Sequence, residues 1–225
     1  MAPKKFEKHR AYYQMLEELR GEGRCAFCSL EHRALTGYFE GLLYEKVTDP
    51  GIRSALVKSR GFCPRHAHVL VNFGDGLGTA ILYVDQIELR LKLLEQHGHN
   101  RGKPRARSAR TGDDPCPACR TEARLRAAHV RTLLQGLGDP EMSGAFAASV
   151  GLCFPHFSAA LEEARDPDVR KELIRVQKEK MQTLLSLLKE LIDRYDYRHI
   201  GAGFAEEKDS WLRAVDTVSG LKDLF

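Results

Sequence analysis

"GFCPRHAHVL" (Gly61–Leu70) places a cysteine three residues before a histidine, and "GLCFPHFSAA" (Gly151–Ala160) repeats the arrangement ninety residues later. Each is preceded by a Cys-x-x-Cys, Cys25 with Cys28 and Cys116 with Cys119. The similarity runs beyond these residues. "DPGIRSALVKSRGFC" (Asp49–Cys63) aligns without gaps on "DPEMSGAFAASVGLC" (Asp139–Cys153), sharing Asp-Pro, an alanine, a serine and Gly-x-Cys. A fixed period of this kind marks a duplicated module. The sequence divides into an N-terminal helix and first repeat (1–97), a linker (98–115), a second repeat (116–198) and a tail helix (199–225).

The hydrophobic pattern is helical throughout. Phe6–Arg20 carries one apolar stripe and stops at Gly21. Ser29 is the expected N-cap of a helix reaching Val47. Asp49-Pro50 opens a short helix that ends at Gly61, because Asp caps and Pro is accepted at the first helical position. Pro64 begins another, and "GDGLGTA" (Gly74–Ala80) reads as a turn into a long helix, Leu77–His97, striped by Ile81, Leu82, Val84, Ile87, Leu91 and Leu94. Asp166–Tyr197 is its counterpart. No strand pattern competes, so the expected fold class is all-α, a helical bundle formed by two tandem metal-stapled repeats.

All six cysteines and two of the nine histidines fall in the repeated motifs. A Cys-x-x-Cys supplies two thiolates from one turn, and a second pair from a distant segment closes a tetrahedron around zinc. In linear order, the set Cys25, Cys28, Cys63 and His66 is followed by Cys116, Cys119, Cys153 and His156. Each set has Cys3His composition, which implies two zinc ions with an iron–sulfur cluster as the alternative. Cys63 sits at an N-cap ahead of Pro64, which puts His66 in the same first turn. His68 matches Ser158 in the repeat and is no ligand. A c-type haem would need histidine directly after Cys-x-x-Cys, where Ser29 and Arg120 stand. A di-iron bundle would need Glu-x-x-His, which is absent.

The formal charge is +4. Five basic residues, Arg101, Lys103, Arg105, Arg107 and Arg110, cluster in a Gly/Pro/Ser-rich stretch read as a solvated tether capable of weak nucleic-acid contact. The beginning of the sequence has no apolar signal segment, and no run reaches the length of a membrane span. A cytoplasmic protein without membrane contact is the expectation. Tyr38, Glu45, Asp49 and Arg53 form a polar set that can line a pocket, and Trp211, Leu212, Val215 and Val218 stripe the tail.

With these motifs in place, the chain resembles a bacterial family defined only as a domain of unknown function. The likeness rests on Cys-x-x-Cys, "LLYEKVTDP", "GFCPRH", "GLGTAILY", the second pair of motifs and "DYRHIGAGFAEEKDSWLRAV", in that order. It covers nearly the whole chain and implies no activity. The reading is of a scaffold or adaptor that binds a macromolecular partner through a helical groove or the tail, with a thiol-based or iron–sulfur redox protein as the alternative.

Overall fold

A computed structural model describes residues 8–21, 23–99, 114–195, 205–222 and 224. Among them are ten helices and no strand, which makes the protein all-α. They are α1 (Arg10–Arg20), α2 (Ala26–Glu45), α3 (Pro50–Ser59), α4 (Pro64–Val71) and α5 (Gly76–His99), then α6 (Pro117–Gly136), α7 (Pro140–Ala148), α8 (Phe154–Glu163), α9 (Pro167–Arg194) and α10 (Ser210–Ser219). The basic stretch falls on residues 100–113, outside the described set, as does all of "DYRHIGAGF" (196–204).

Helix starts follow the sequence chemistry. Asp49 accepts a hydrogen bond from the Ile52 amide, Asp139 from Glu141, and Asp166 from Asp168 and Val169, each with proline next in line. Such caps satisfy amides that the helix itself cannot, each worth about 1 kcal/mol. Asp75 does the same for the Gly78 amide at the start of α5, after Gly74 with φ +71°. Ser29 does not cap α2. The helix begins at Ala26, and the Ser29 amide donates to the Cys25 carbonyl as part of the first turn.

The chain forms two compact units that interleave in sequence. One comprises residues 1–32 and 126–225, the other 33–125. Both boundaries fall within helices, α2 and α6. In the first unit α1 packs on α7, and α8, α9 and α10 pack on one another. Its core includes Tyr12, Met15, Leu19, Phe27, Leu133, Met142, Phe146, Leu173 and Val176. Tyr12 is buried, yet its hydroxyl donates to Asp139 at 2.9 Å, joining α1 to the cap of α7. In the second unit α5 packs on α3 and α4, with Phe39, Leu42, Leu56, Phe62, Leu70 and Leu82 inside.

Two apolar stripes divide differently from their sequence reading. On α5 Leu82 is buried, whereas Val84, Ile87, Leu91 and Leu94 are exposed. On α10 Trp211, Leu212, Val215 and Val218 are half or more exposed, and the buried residue is Ser210. Ala214 and Thr217 are half-buried and line a groove together with Ile174, Met181 and Leu185 of α9.

Candidate metal centres

Four cysteines, Cys25, Cys63, Cys116 and Cys153, each stand one residue before a helix. Their carbonyls accept from the amides four residues on, Ser29, Ala67, Arg120 and Phe157. Cys28, His66, Cys119 and His156 are each three residues further and share a face with the leading cysteine. Both motif types are therefore the same device, a ligand pair straddling a helix N-terminus. The partial positive charge there favours thiolate over thiol.

The pairs combine across the repeats. Cys25 and Cys28 meet Cys153 and His156, and Cys63 and His66 meet Cys116 and Cys119, with all ligand atoms of a quartet within 4.8 Å of one another. The eight residues of the sequence reading are thus brought together in two groups of Cys3His composition. The grouping by linear order is overturned. The reason is reach. α2 and α6 each have 20 residues and rise ~30 Å, while the ten and nine residues of α3 and α7 return only ~15 Å. A Cys-x-x-His delivered after the shorter helix does not come back to the start of the longer one.

In the first quartet the His156 Nδ1 lies 3.6 Å from Cys25 Sγ, 3.5 Å from Cys28 and 3.1 Å from Cys153, with Cys28 and Cys153 Sγ 3.6 Å apart. In the second, His66 Nδ1 lies 3.2 Å from Cys63, 3.5 Å from Cys116 and 3.3 Å from Cys119, and Cys63 and Cys119 Sγ are 3.7 Å apart. A tetrahedron with Zn–S ≈ 2.3 Å and Zn–N ≈ 2.0–2.1 Å has edges of roughly 3.8 Å between sulfurs and roughly 3.5 Å from sulfur to nitrogen. The observed edges fit one ion per quartet. The quartets differ in access: the first is buried throughout, whereas Cys63 and Cys119 of the second are partly exposed.

Beyond the ligands lies a relay absent from the sequence reading. His156 Nε2 is 3.0 Å from Glu31, and Glu31 takes a two-pronged bond from Arg126, at 3.1 and 2.8 Å. His66 Nε2 is 3.2 Å from Glu122, which takes a two-pronged bond from Arg65. Both glutamates are buried. A histidine that coordinates through Nδ1 carries its proton on Nε2, and a carboxylate there fixes the ring and raises its basicity. The signal was present in the repeat, since Glu31 follows Cys28 by three residues as Glu122 follows Cys119. The arginines had no such signal. The repeat counterpart of Arg126 is Leu35 and that of Arg65 is Pro155, so each half solves the charge problem from a different position.

The proton equilibria show what the protein groups do by themselves. Burial would lift the Cys25 thiol, but bonds with Cys153, Cys28 and His156 outweigh it and hold the thiol well below its usual range. Burial would likewise raise Cys116, yet His66 and backbone amides bring it to about 6. Cys153 is pushed up by Cys25 and Cys28 and then by burial, and Cys119 rises to about 12 through burial and the charge on Cys116. Burial would depress His66, but Cys116 and Glu122 raise it to about 9, and His156 climbs to about 11 against the same opposition. Cys25 and Cys116 thus favour the thiolate beside a readily protonated imidazole, while Cys153 and Cys119 resist ionisation. A bound cation removes that resistance by supplying the missing positive charge.

A backbone clamp holds the loop that presents one of these pairs. The Gln177 side chain accepts from the Leu152 amide at 3.0 Å and donates to its carbonyl at 2.8 Å, just before Cys153. Gly151 has φ +82° and lies against that side chain, so a larger residue is excluded there twice over. Gln86 is buried against Gly61 in the other unit. His68 joins neither quartet. Tyr38, Glu45, Asp49 and Arg53 go to separate tasks: Asp49 caps α3, Arg53 pairs with Asp85, Tyr38 stacks edge-on against Phe39, and Glu45 is exposed.

An all-helical protein with two Cys3His clusters able to hold metal ions is the class that this geometry defines. The chain belongs to a family of unknown function (DUF6062), whose model matches residues 12–223. It is also similar to an uncharacterized 23.9 kDa protein in the xynA 3′ region of Caldicellulosiruptor sp. (strain Rt8B.4), 31% identical over 210 residues that cover 92% of this chain and all of that protein. No solved structure matches. No helix among the described residues is long and apolar enough to cross a membrane.

Proposed function

We propose that the protein binds two zinc ions, through Cys25, Cys28, Cys153 and His156 and through Cys63, His66, Cys116 and Cys119. The metals are structural, and the chain serves as a non-catalytic scaffold or adaptor. The observation that carries this reading is the closed quartet: four protein ligands at single-ion spacing, each histidine backed by a buried glutamate. Catalytic zinc keeps a coordination position for water, and four protein ligands fill all of them. An iron–sulfur cluster spreads its ligands over several irons, which the 3.6 and 3.7 Å sulfur separations do not suit. Six free cysteines suit a reducing compartment, and the cytoplasm is the proposed location.

Elemental analysis with an absorption spectrum of freshly purified protein tests the reading. Two zinc ions per chain in a colourless sample support it. A brown sample containing iron and sulfide, or a protein that keeps its helicity and melting temperature after a strong chelator has stripped both metals under reducing conditions, overturns it.

A further inference from the structure

The loops that lead into Cys63 and Cys153 are built from the same parts and held in two different arrangements. Ser59, Gly61 and Phe62 match Ser149, Gly151 and Leu152, and the buried Leu82 and Gln86 of α5 match the buried Leu173 and Gln177 of α9. In both halves the glutamine Oε1 is the atom nearest to where a Cβ on the glycine would stand, at 3.5 Å for Gly61 and 3.1 Å for Gly151. The Gln177 amide clamps Leu152. The Gln86 amide clamps nothing: the residue is 2% exposed, and neither its Nε2 nor its Oε1 has a hydrogen-bond partner. Native structures rarely leave a buried amide unpaired, because the loss of its water is not offset.

The backbone shows what keeps the first loop away. α7 ends at Ala148, and Ser149 leaves it extended (φ −66°, ψ 177°), with its hydroxyl accepting from the Gly151 amide at 3.0 Å. α3 includes the matching Ser59, and Arg60 caps it in the left-handed region (φ 58°, ψ 38°), the one non-glycine residue with positive φ among the described residues. The Ser59 hydroxyl donates to the Gly61 carbonyl instead, at 3.0 Å, and the Gly61 amide donates to the Leu56 carbonyl at 2.7 Å. Arg90 secures this arrangement from α5 by donating to the carbonyls of Arg60 and Gln86, both at 3.0 Å. Its counterpart on α9 is Met181, which has no such bonds to give, and the counterpart of Arg60 is Val150, whose branched side chain disfavours the left-handed region.

We propose that Arg60–Phe62 is a latch with two positions. In the open one Arg90 holds the Arg60 carbonyl. In the closed one Gln86 clamps the Phe62 backbone as Gln177 clamps Leu152, Arg60 leaves the left-handed region, and the Ser59 hydroxyl turns from the Gly61 carbonyl to its amide. Cys63 follows Phe62 directly, so it is held as firmly as that peptide. The latch therefore sets how fast the quartet of Cys63, His66, Cys116 and Cys119 exchanges its metal, and Arg90 is the residue that keeps this quartet the faster of the two. The link to exchange rests on the metal-binding reading; the latch itself does not.

Amide hydrogen exchange of the full chain, resolved at Phe62 and Leu152, tests the latch, and zinc transfer to a chromophoric chelator is read beside it. Phe62 is expected to exchange faster than Leu152. Arg90→Met, which installs the exposed-side residue that α9 carries, is expected to slow Phe62 by about tenfold, the worth of two hydrogen bonds, to leave Leu152 unchanged, and to slow the faster phase of zinc transfer with it. Gln86→Leu keeps the bulk and removes an unpaired amide, so the chain should keep its helicity, and in that background Arg90→Met should alter neither rate. Phe62 exchange indifferent to Arg90→Met, or slowed as much without Gln86, overturns the latch. Slower Phe62 exchange with zinc transfer unchanged overturns its control of the metal. A Phe62 response in a chain that binds no metal supports the latch and refutes the metal-binding reading alone.

Discussion

Pairing of ligands across the repeats separates sharply from pairing in linear order when variants are combined two at a time. Cys25→Ser should reduce bound metal from two equivalents to one. Adding His156→Ala should remove nothing further, because both residues serve one quartet. Adding His66→Ala to Cys25→Ser should instead remove the second equivalent, leaving none. Linear pairing gives the opposite pattern, with one equivalent left for Cys25 with His66 and none for Cys25 with His156. Stability should follow the metal count. A ligand at a thousand times its dissociation constant stabilises the folded state by about 4.1 kcal/mol, a large share of the roughly 5–15 kcal/mol typical of a domain. Elemental analysis after gel filtration, paired with urea unfolding followed by circular dichroism, reads both quantities. One equivalent remaining in Cys25→Ser with His66→Ala would refute the crossed assembly.

Glu31→Gln should weaken metal at the quartet containing His156 by about 10–100-fold and spare the other, with Glu122→Gln doing the converse; competition with a chromophoric chelator measures each. The quartet holding Cys63 and Cys119 is the more accessible, so under excess chelator it should release metal first, and His66→Ala should abolish the fast phase. Gln177→Ala removes both bonds to Leu152 and leaves a buried amide and carbonyl unpaired, which should lower stability by about 1–3 kcal/mol in denaturant melts. Acid should also loosen the protein. Glu31 and Glu122 are buried, yet their histidine and arginine partners hold both carboxyls below the usual range. A depressed carboxyl contributes stability that is present above its unfolded value near 4.3 and is lost as pH falls through the folded one. Thiolate ligands take up protons in the same direction, so metal release and unfolding should coincide on acid titration and reverse on neutralisation.

Helices, the Asp-Pro caps and the eight Cys and His residues that come together were legible because each is local. Asp-Pro announces a helix start wherever it occurs, and a cysteine three residues before a histidine needs only one turn to become a bidentate unit. The partner of each unit was not local. It depends on the unequal lengths of α2 and α3, and of α6 and α7, which set where the chain delivers its second pair. Glu31 and Glu122 were legible in principle, since the duplication preserves them at identical spacing, but a search limited to metal-binding residue types passes over an outer carboxylate. Arg65 and Arg126 were not, because the two repeats place them differently. The apolar stripe of α5 shows a further limit: helical periodicity marks an apolar face, yet Val84, Ile87, Leu91 and Leu94 are exposed.

The crossed quartets also impose an order in time. A polypeptide emerges from its N-terminus, so Cys25 and Cys28 are made first, yet their partners Cys153 and His156 arrive only after two-thirds of the sequence has been translated. The quartet of Cys63, His66, Cys116 and Cys119 is complete at residue 119, well before the other. The first of these thiols to be synthesised are therefore the last to be joined by the rest of their quartet. A chain ending between the two halves, before Cys116, holds neither quartet complete, and one ending between Cys119 and Cys153 holds only one.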